Sequence, residues 1–216
     1  MKLHGQTIAR EHQLGTGHPR ESLLARLAKN ESYLLDVYDL LTEDVKAEQR
    51  ITPAGEWLLD NFYLIEEQIR IAKRHFSKGY NWELPYLLNG PMAGLPRVYD
   101  LALETISHGD GRVDPENLSS FVAAYQSVTS LKLGELWAIP IMLRLALMEN
   151  LRRVAARIAA ERNDRQLAEY WAGQMMETAA KNPSDLILTI ADMARSDLEL
   201  SSAFVAAMSY RLQGHV

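Results

Sequence analysis

Residues 133–162 read LGELWAIPIMLRLALMENLRRVAARIAAER. Apolar residues recur here at three- and four-residue steps rather than in alternation, which is the period of a helix with a buried face. The stretch predicts one long, strongly apolar helix interrupted at Pro140, whose ring displaces the carbonyl four residues earlier and bends or breaks the helix. Its second half is expected in the core. Glu135 and Arg144 interrupt the apolar pattern, and because an unpaired charge is expensive in a core, one or both are expected to be buried and paired; Arg97 and Asp100 at the start of another helix form a second polar cluster, and an interhelix salt bridge is expected.

The same period holds on both sides. Pro19 opens a helical region in which Leu23, Leu24, Leu27, Tyr33, Leu34, Val37, Leu40 and Leu41 recur, ending near Gln49. Thr52 then stands as an N-cap and Pro53 fits the first helical position, so a long helix to about Phe76 follows. Its apolar stripe is Leu58, Phe62, Ile65, Ile69, Ala72 and Phe76, and Glu56, Asp60, Tyr63, Glu67 and Arg74 line an adjoining face. From Ser77 to Pro96 three Gly and three Pro fall within twenty residues, which predicts a loop with at most one helical turn. Helices resume over Arg97–Ser107 and Asp114–Val128 as an antiparallel pair. After residue 162 three more are expected, at Asn163–Ala180, Pro183–Arg195 and Ser196–Gln213, the last opened by the capping-box spacing Ser196-x-x-Glu199. The expectation is an all-α array of about eight to ten helices, with residues 1–18 a variable N-terminal segment and 19–213 a single helical domain.

The 216 residues carry 23 Lys plus Arg, 28 Asp plus Glu and no Cys, for a formal charge of −5. Thiol chemistry and disulfides are excluded, and a mildly acidic chain without a basic block is not a nucleic-acid binder. The longest apolar run, Leu136–Met148, is broken by Arg144 and falls short of the roughly 20 residues of a membrane span. No signal-peptide pattern stands in residues 1–20, so an intracellular setting is expected.

The six His are scattered, with neither His-x-x-x-His nor Glu-x-x-His spacing, so no metal site and no cofactor are expected. Gly15-Thr16-Gly17 lacks the strand and the Lys of a phosphate loop and reads as a flexible turn. Asp60, Glu66, Glu67 and Glu83 are the carboxylates to consider for proton transfer in sugar chemistry. Asp60 and Glu67 lie two turns apart, about 10 Å by helical rise; the competing reading is a solvated face with Glu66 and Arg70 paired at i, i+4. The aromatic segment Tyr80-Asn81-Trp82-Glu83-Leu84-Pro85-Tyr86 offers rings to stack on sugars and polar groups to orient hydroxyls, or else Trp82 and Tyr86 pin the loop onto neighbouring helices. Trp57, Trp137 and Trp171 fall within apolar helical patterns and are expected in the core. Glu149 with Arg153, and Arg157 with Glu161, are expected on a solvated, charge-laced face.

Several stretches carry a family resemblance. Residues 52–69 (TPAGEWLLDNFYLIEEQI), Lys78-Gly79-Tyr80, Glu83-Leu84-Pro85, residues 94–100 (GLPRVYD) and residues 134–141 (GELWAIPI) resemble the N-terminal region of cyclic β-1,2-glucan synthases. The similarity runs from about His18 to Gln213. The resemblance implies a place in very large inner-membrane enzymes that polymerise glucose from UDP-glucose through a protein-linked glucan and bear a phosphorylase-like region that controls chain length. Their membrane spans and nucleotide-sugar motifs have no counterpart in this chain, so no catalytic residue is carried over. What is implied is a non-catalytic helical scaffold or docking domain, partnered by the glycosyltransferase and membrane parts of a parent synthase at the cytoplasmic face of the inner membrane. It would contact β-1,2-glucan through Tyr80, Trp82, Glu83 and Tyr86 with Asp60, Tyr63 and Glu67. The alternative is a stand-alone glucan-binding or protein-interaction module.

Overall fold

The computed structural model describes residues 2–16, 22–75, 84–196 and 200–213. Among these the chain is all-α, with nine helices and one two-stranded ribbon. In order they are α1 (Lys2–Glu11), β1 (Leu14–Gly15), α2 (Leu23–Lys46), α3 (Pro53–Asp60), α4 (Phe62–His75), β2 (Tyr86–Leu87), α5 (Arg97–His108), α6 (Pro115–Gln126), α7 (Leu133–Lys181), α8 (Leu186–Arg195) and α9 (Ser202–Gln213).

The 49-residue α7 is the spine of the fold. Its first half, through Ala138, Met142, Leu145, Ala146, Ala155 and Ile158, meets α2, α4 and α5 in the main core. Its second half supplies Ala168, Ala172 and Met175 to a smaller cluster closed by Phe204 and Met208 of α9. The break expected near Arg162 is absent: Glu161 to Gln166 are half-buried or exposed, and the helix runs through them. Their polarity serves tertiary contacts, since Arg162 forks onto Asp44 of α2 at 2.5 Å from both Nε and Nη2, and Asp164 accepts from Ser201 Oγ at 2.5 Å. Helix α7 also runs through Pro140. Pro140 is exposed, so water can satisfy the carbonyl of Leu136 that it leaves without a donor.

The helix expected from Thr52 to Phe76 is two helices, α3 and α4, divided at Asn61. Thr52 caps α3 as expected, its Oγ1 accepting from Gly55 N at 3.2 Å. Asn61 Nδ2 donates to the Trp57 carbonyl at 2.8 Å, the local side-chain bond with which Asn competes against a continuing helix. Asp114 caps α6 at Asn117 N, but α6 packs chiefly on α1, not on α5. Ser196 ends α8 rather than opening α9, which starts at Ser202 with Ser201 Oγ accepting from Phe204 N at 3.0 Å; Glu199 lies outside the described residues.

The first residues also fold. Helix α1 buries Gly5, Ile8 and Ala9, and a Cβ on Gly5 would lie 2.9 Å from the Phe121 carbonyl, so glycine lets α1 approach α6 closely. Gly15 belongs to β1 and pairs antiparallel with Tyr86.

Candidate functional site

Helix α5 carries four polar residues at helical spacing, Arg97, Asp100, Glu104 and His108, of which the first is buried and the last faces solvent. Opposite them stands α1 with His4 and His12 near its two ends. Between α1, α5 and the turn segment after β2 lies a groove of about 320 Å³ whose walls include His4, His12, Asn89, Asp100, Glu104 and Arg153.

At its inner end His12 joins Asp100 and Tyr125. Nε2 lies 3.0 Å from Asp100 Oδ2 and Nδ1 lies 3.0 Å from the Tyr125 hydroxyl. With the carboxylate accepting, Nε2 carries the proton and a neutral ring accepts at Nδ1 from the phenol. Burial pushes the Tyr125 hydroxyl up, and the Arg97 charge over its ring, 5.7 Å from the centroid, counters part of that rise. The phenol therefore stays protonated and donates.

Arg97 also forks onto Glu135, Nε to Oε1 at 2.6 Å and Nη2 to Oε2 at 2.7 Å, while Nη2 reaches the Ser130 carbonyl at 2.9 Å. Glu135 Oε2 accepts from Lys132 N at 2.8 Å, which closes the start of α7. Arg97 is 2% exposed and Glu135 0%, so the expected interhelix salt bridge is present with Glu135 as its acid. Arg97 Nη1 is buried without a hydrogen-bond partner. The pair joins residues 94–100 to residues 134–141, two of the stretches that carry the family resemblance.

A second buried cluster lies deeper, around Glu149 of α7. Its carboxylate accepts from Arg26 at 3.1 and 3.2 Å and from Asn30 Nδ2 at 2.9 Å. Burial works to raise this carboxyl, but the Asn30 hydrogen bond and the Arg26 charge together hold it below the usual carboxylate range. Beside it burial, reinforced by the Glu149 charge, pushes Tyr99 up to about 12. The solvated face expected for Glu149 is thus a buried junction between α2 and α7, and Glu149 pairs with Arg152 on its own helix, not Arg153.

At the outer end of the groove three potential metal ligands converge. His4 Nε2 is 2.8 Å from Glu104 Oε2, His108 Nδ1 is 3.5 Å from the same oxygen, and the two imidazole centroids are 4.4 Å apart. The sequence does not display them as a metal motif, because Glu104 and His108 stand at i, i+4, neither of the His-x-x-x-His and Glu-x-x-His spacings, and His4 is 100 positions away from Glu104.

Of the residues proposed from sequence to contact glucan, Tyr80, Trp82 and Glu83 lie outside the described residues. Tyr86 is half-buried in β2 with its ring against Gly15, where a Cβ would come within 2.6 Å of Cζ. Asp60, Tyr63 and Glu67 face solvent on α3 and α4, and the division at Asn61 removes the continuous two-turn spacing assumed for Asp60 and Glu67. Trp57 and Trp137, expected in the core, are 52% and 74% exposed, while Trp171 packs partly buried against the smaller cluster. Both exposed indoles flank buried neighbours, Leu58 and Ala138, one helical position away. Among the described residues no helix is long and apolar enough to cross a membrane.

No protein-family model matches the chain. It is 35% identical over 190 residues to the cyclic beta-(1,2)-glucan synthase NdvB of Rhizobium meliloti (strain 1021), a match that takes in 88% of this chain. The chain spans 6% of the length of that relative. Over most of its length, then, the chain is a homologue of one segment of the cyclic β-1,2-glucan synthases.

Proposed function

We propose that this chain is a non-catalytic helical docking domain of a cyclic β-1,2-glucan synthase, holding the glycosyltransferase part of the enzyme in place. The observation that carries the reading is α8. Ile187, Leu188 and Ile190 are 71%, 61% and 45% exposed, and no residue of α8 is buried. A helix this apolar with no buried residue is the pattern of a surface that another folded part covers. The occupant proposed is the remainder of the synthase, at the cytoplasmic face of the inner membrane. The groove chemistry supports a positioning role as well: Arg97, Glu135, His12, Asp100 and Tyr125 bond to one another, which fixes helices rather than presenting a poised nucleophile.

The test is complementation. A synthase lacking the homologous segment is supplied with this chain in trans and cyclic glucan is measured from UDP-glucose. Rescue by the unaltered chain and loss of rescue with Ile187→Asp plus Ile190→Asp, at unchanged helicity, is the expected result. Glucose transfer by the pure chain alone would overturn the non-catalytic reading.

A second reading, a glucan contact, is favoured by the exposure of Trp57 and Tyr63 beside Glu56, Asp60 and Glu67 on α3 and α4. Aromatic faces flanked by carboxylates suit a sugar ring. Titration with linear and cyclic β-1,2-glucans, followed through the indole signals, tests it. Saturable shifts at Trp57 or in the Tyr80 to Tyr86 segment support the contact, and an unchanged spectrum removes it.

A further inference from the structure

The groove between α1 and α5 ends in a constellation that the docking role does not use. His4 projects from α1, and Glu104 and His108 come from one face of α5, a single turn apart. One donor atom from each lies within 4.8 Å of the others. A tetrahedral ion bound at about 2.0 to 2.2 Å holds its donors about 3.3 Å apart. The observed separations of 2.8 Å for His4 Nε2 and 3.5 Å for His108 Nδ1 to Glu104 Oε2 bracket that value, so both pairs already stand near ligand spacing.

The surroundings fit as well. His108 Nδ1 lies 3.0 Å from the Glu104 main-chain carbonyl. Ligation through Nδ1, the nitrogen that faces Glu104, exchanges this hydrogen bond for the cation and places the ring proton on Nε2. His4 is held from behind by the Phe121 ring, stacked at 6.1 Å. All three side chains are partly exposed, and His4 and Glu104 also line the groove, which gives an ion a way in and a water room to complete its shell. Two imidazoles and one carboxylate are borderline donors that favour zinc-like ions over magnesium or calcium.

We propose that His4, Glu104 and His108 bind a first-row divalent cation of the zinc type, with water in the fourth position, and that the ion staples α1 to α5. The ligands come from chain positions a hundred residues apart, so the ion binds the folded chain and not the unfolded one. In place of the present hydrogen bond, His4 Nε2 and Glu104 Oε2 then both donate electron pairs to the metal.

The experiment is calorimetric titration of the chelator-treated, full chain with zinc sulfate, paired with thermal unfolding. The expected result is one equivalent bound at micromolar or tighter affinity, a raised unfolding temperature reversed by chelator, and no comparable binding of magnesium. His108→Ala, at the partly exposed last turn of α5, is expected to keep the fold and to weaken zinc binding at least ~10-fold. Glu104→Gln is expected to do the same, and His75→Ala, on α4, to change nothing. In the proton spectrum one equivalent of zinc shifts the ring signals of His4 and His108. Absence of saturable binding below millimolar zinc, or equal affinity in the His108→Ala and Glu104→Gln chains, overturns the site.

Discussion

Replacing Glu135 by Gln isolates the charge of the Arg97 to Glu135 pair. The substitution keeps the shape of the side chain and an oxygen able to accept from Lys132 N, so the start of α7 stays capped. What it removes is the counter-charge of a guanidinium that is 2% exposed, both of whose forked bonds run to Glu135. Removing one partner of a buried pair costs about 3 to 5 kcal/mol, because the charge left behind keeps only neutral acceptors such as the Ser130 carbonyl and has no counter-charge. Domains have only about 5 to 15 kcal/mol of stability in total, so the loss is a large share of it. At ~2 to 4 °C per kcal/mol for a chain of this size, Glu135→Gln lowers the melting temperature by about 6 to 20 °C. The assay is urea and thermal unfolding followed by far-ultraviolet circular dichroism. The double variant Arg97→Met with Glu135→Leu fills the same space without charge and recovers most of the loss. A cost below about 1 kcal/mol for Glu135→Gln, the scale of a surface pair, or a double variant as unstable as the sum of the singles, refutes the reasoning.

Stability is expected to fall at both ends of the pH range, for reasons at one cluster. Tyr99 is raised from 10.0 to about 12, so the folded state holds its proton while the unfolded chain releases it, and stability present below pH 10 is lost as pH climbs towards 12, by about 3 kcal/mol in total. Glu149 is lowered from 4.5, so its contribution is present above that value and is lost as pH falls below it; Glu149→Gln flattens the acid limb of a melting-temperature profile. Tyrosinate absorbance in an alkaline titration checks the other limb, with Tyr99 ionising only as the helical signal disappears. Pro140→Ala restores the amide that Pro140 lacks inside α7 and is expected to stabilise the chain by about 1 to 3 kcal/mol, read from the urea midpoint.

The helical class was readable throughout because the three- and four-residue spacing of apolar side chains is set by burial itself, and burial is what the array provides. Boundaries were less readable. At Asn61 one side chain competing for the Trp57 carbonyl divides a helix whose apolar stripe continues on both sides. At Arg162 the reverse holds, since a run of charged residues looks like a connection but is a helix segment answering Asp44 of α2 and the Ser201 hydroxyl that caps α9. Pro140 belongs with these: a proline on the exposed side of a 49-residue helix packed along most of its length is tolerated, because packing elsewhere outweighs the bond it removes. The short β1 to β2 ribbon had no periodic signal to show, being two residues on each side.

The polar site divides along a physical line. Glu135 was recognisable because it breaks an apolar run, and the cost of an unpaired charge in a core pointed to a partner on another helix. Glu149 carries the same charge on the same helix, but Arg152 and Arg153 stand within reach, and a local partner suggests a solvated face. The structure gives it Arg26 and Asn30, 123 and 119 positions away. His4 and His12 hide for the same reason, since each is an ordinary polar residue until α1 is laid against α5. Local patterning therefore exposes only those buried charges that interrupt an apolar run. In this chain the stretches that carry the family resemblance hold one of them, Glu135, together with its partner Arg97. Residues 94–100 and 134–141 thus meet where two segments of the chain, 38 positions apart, neutralise each other in the core.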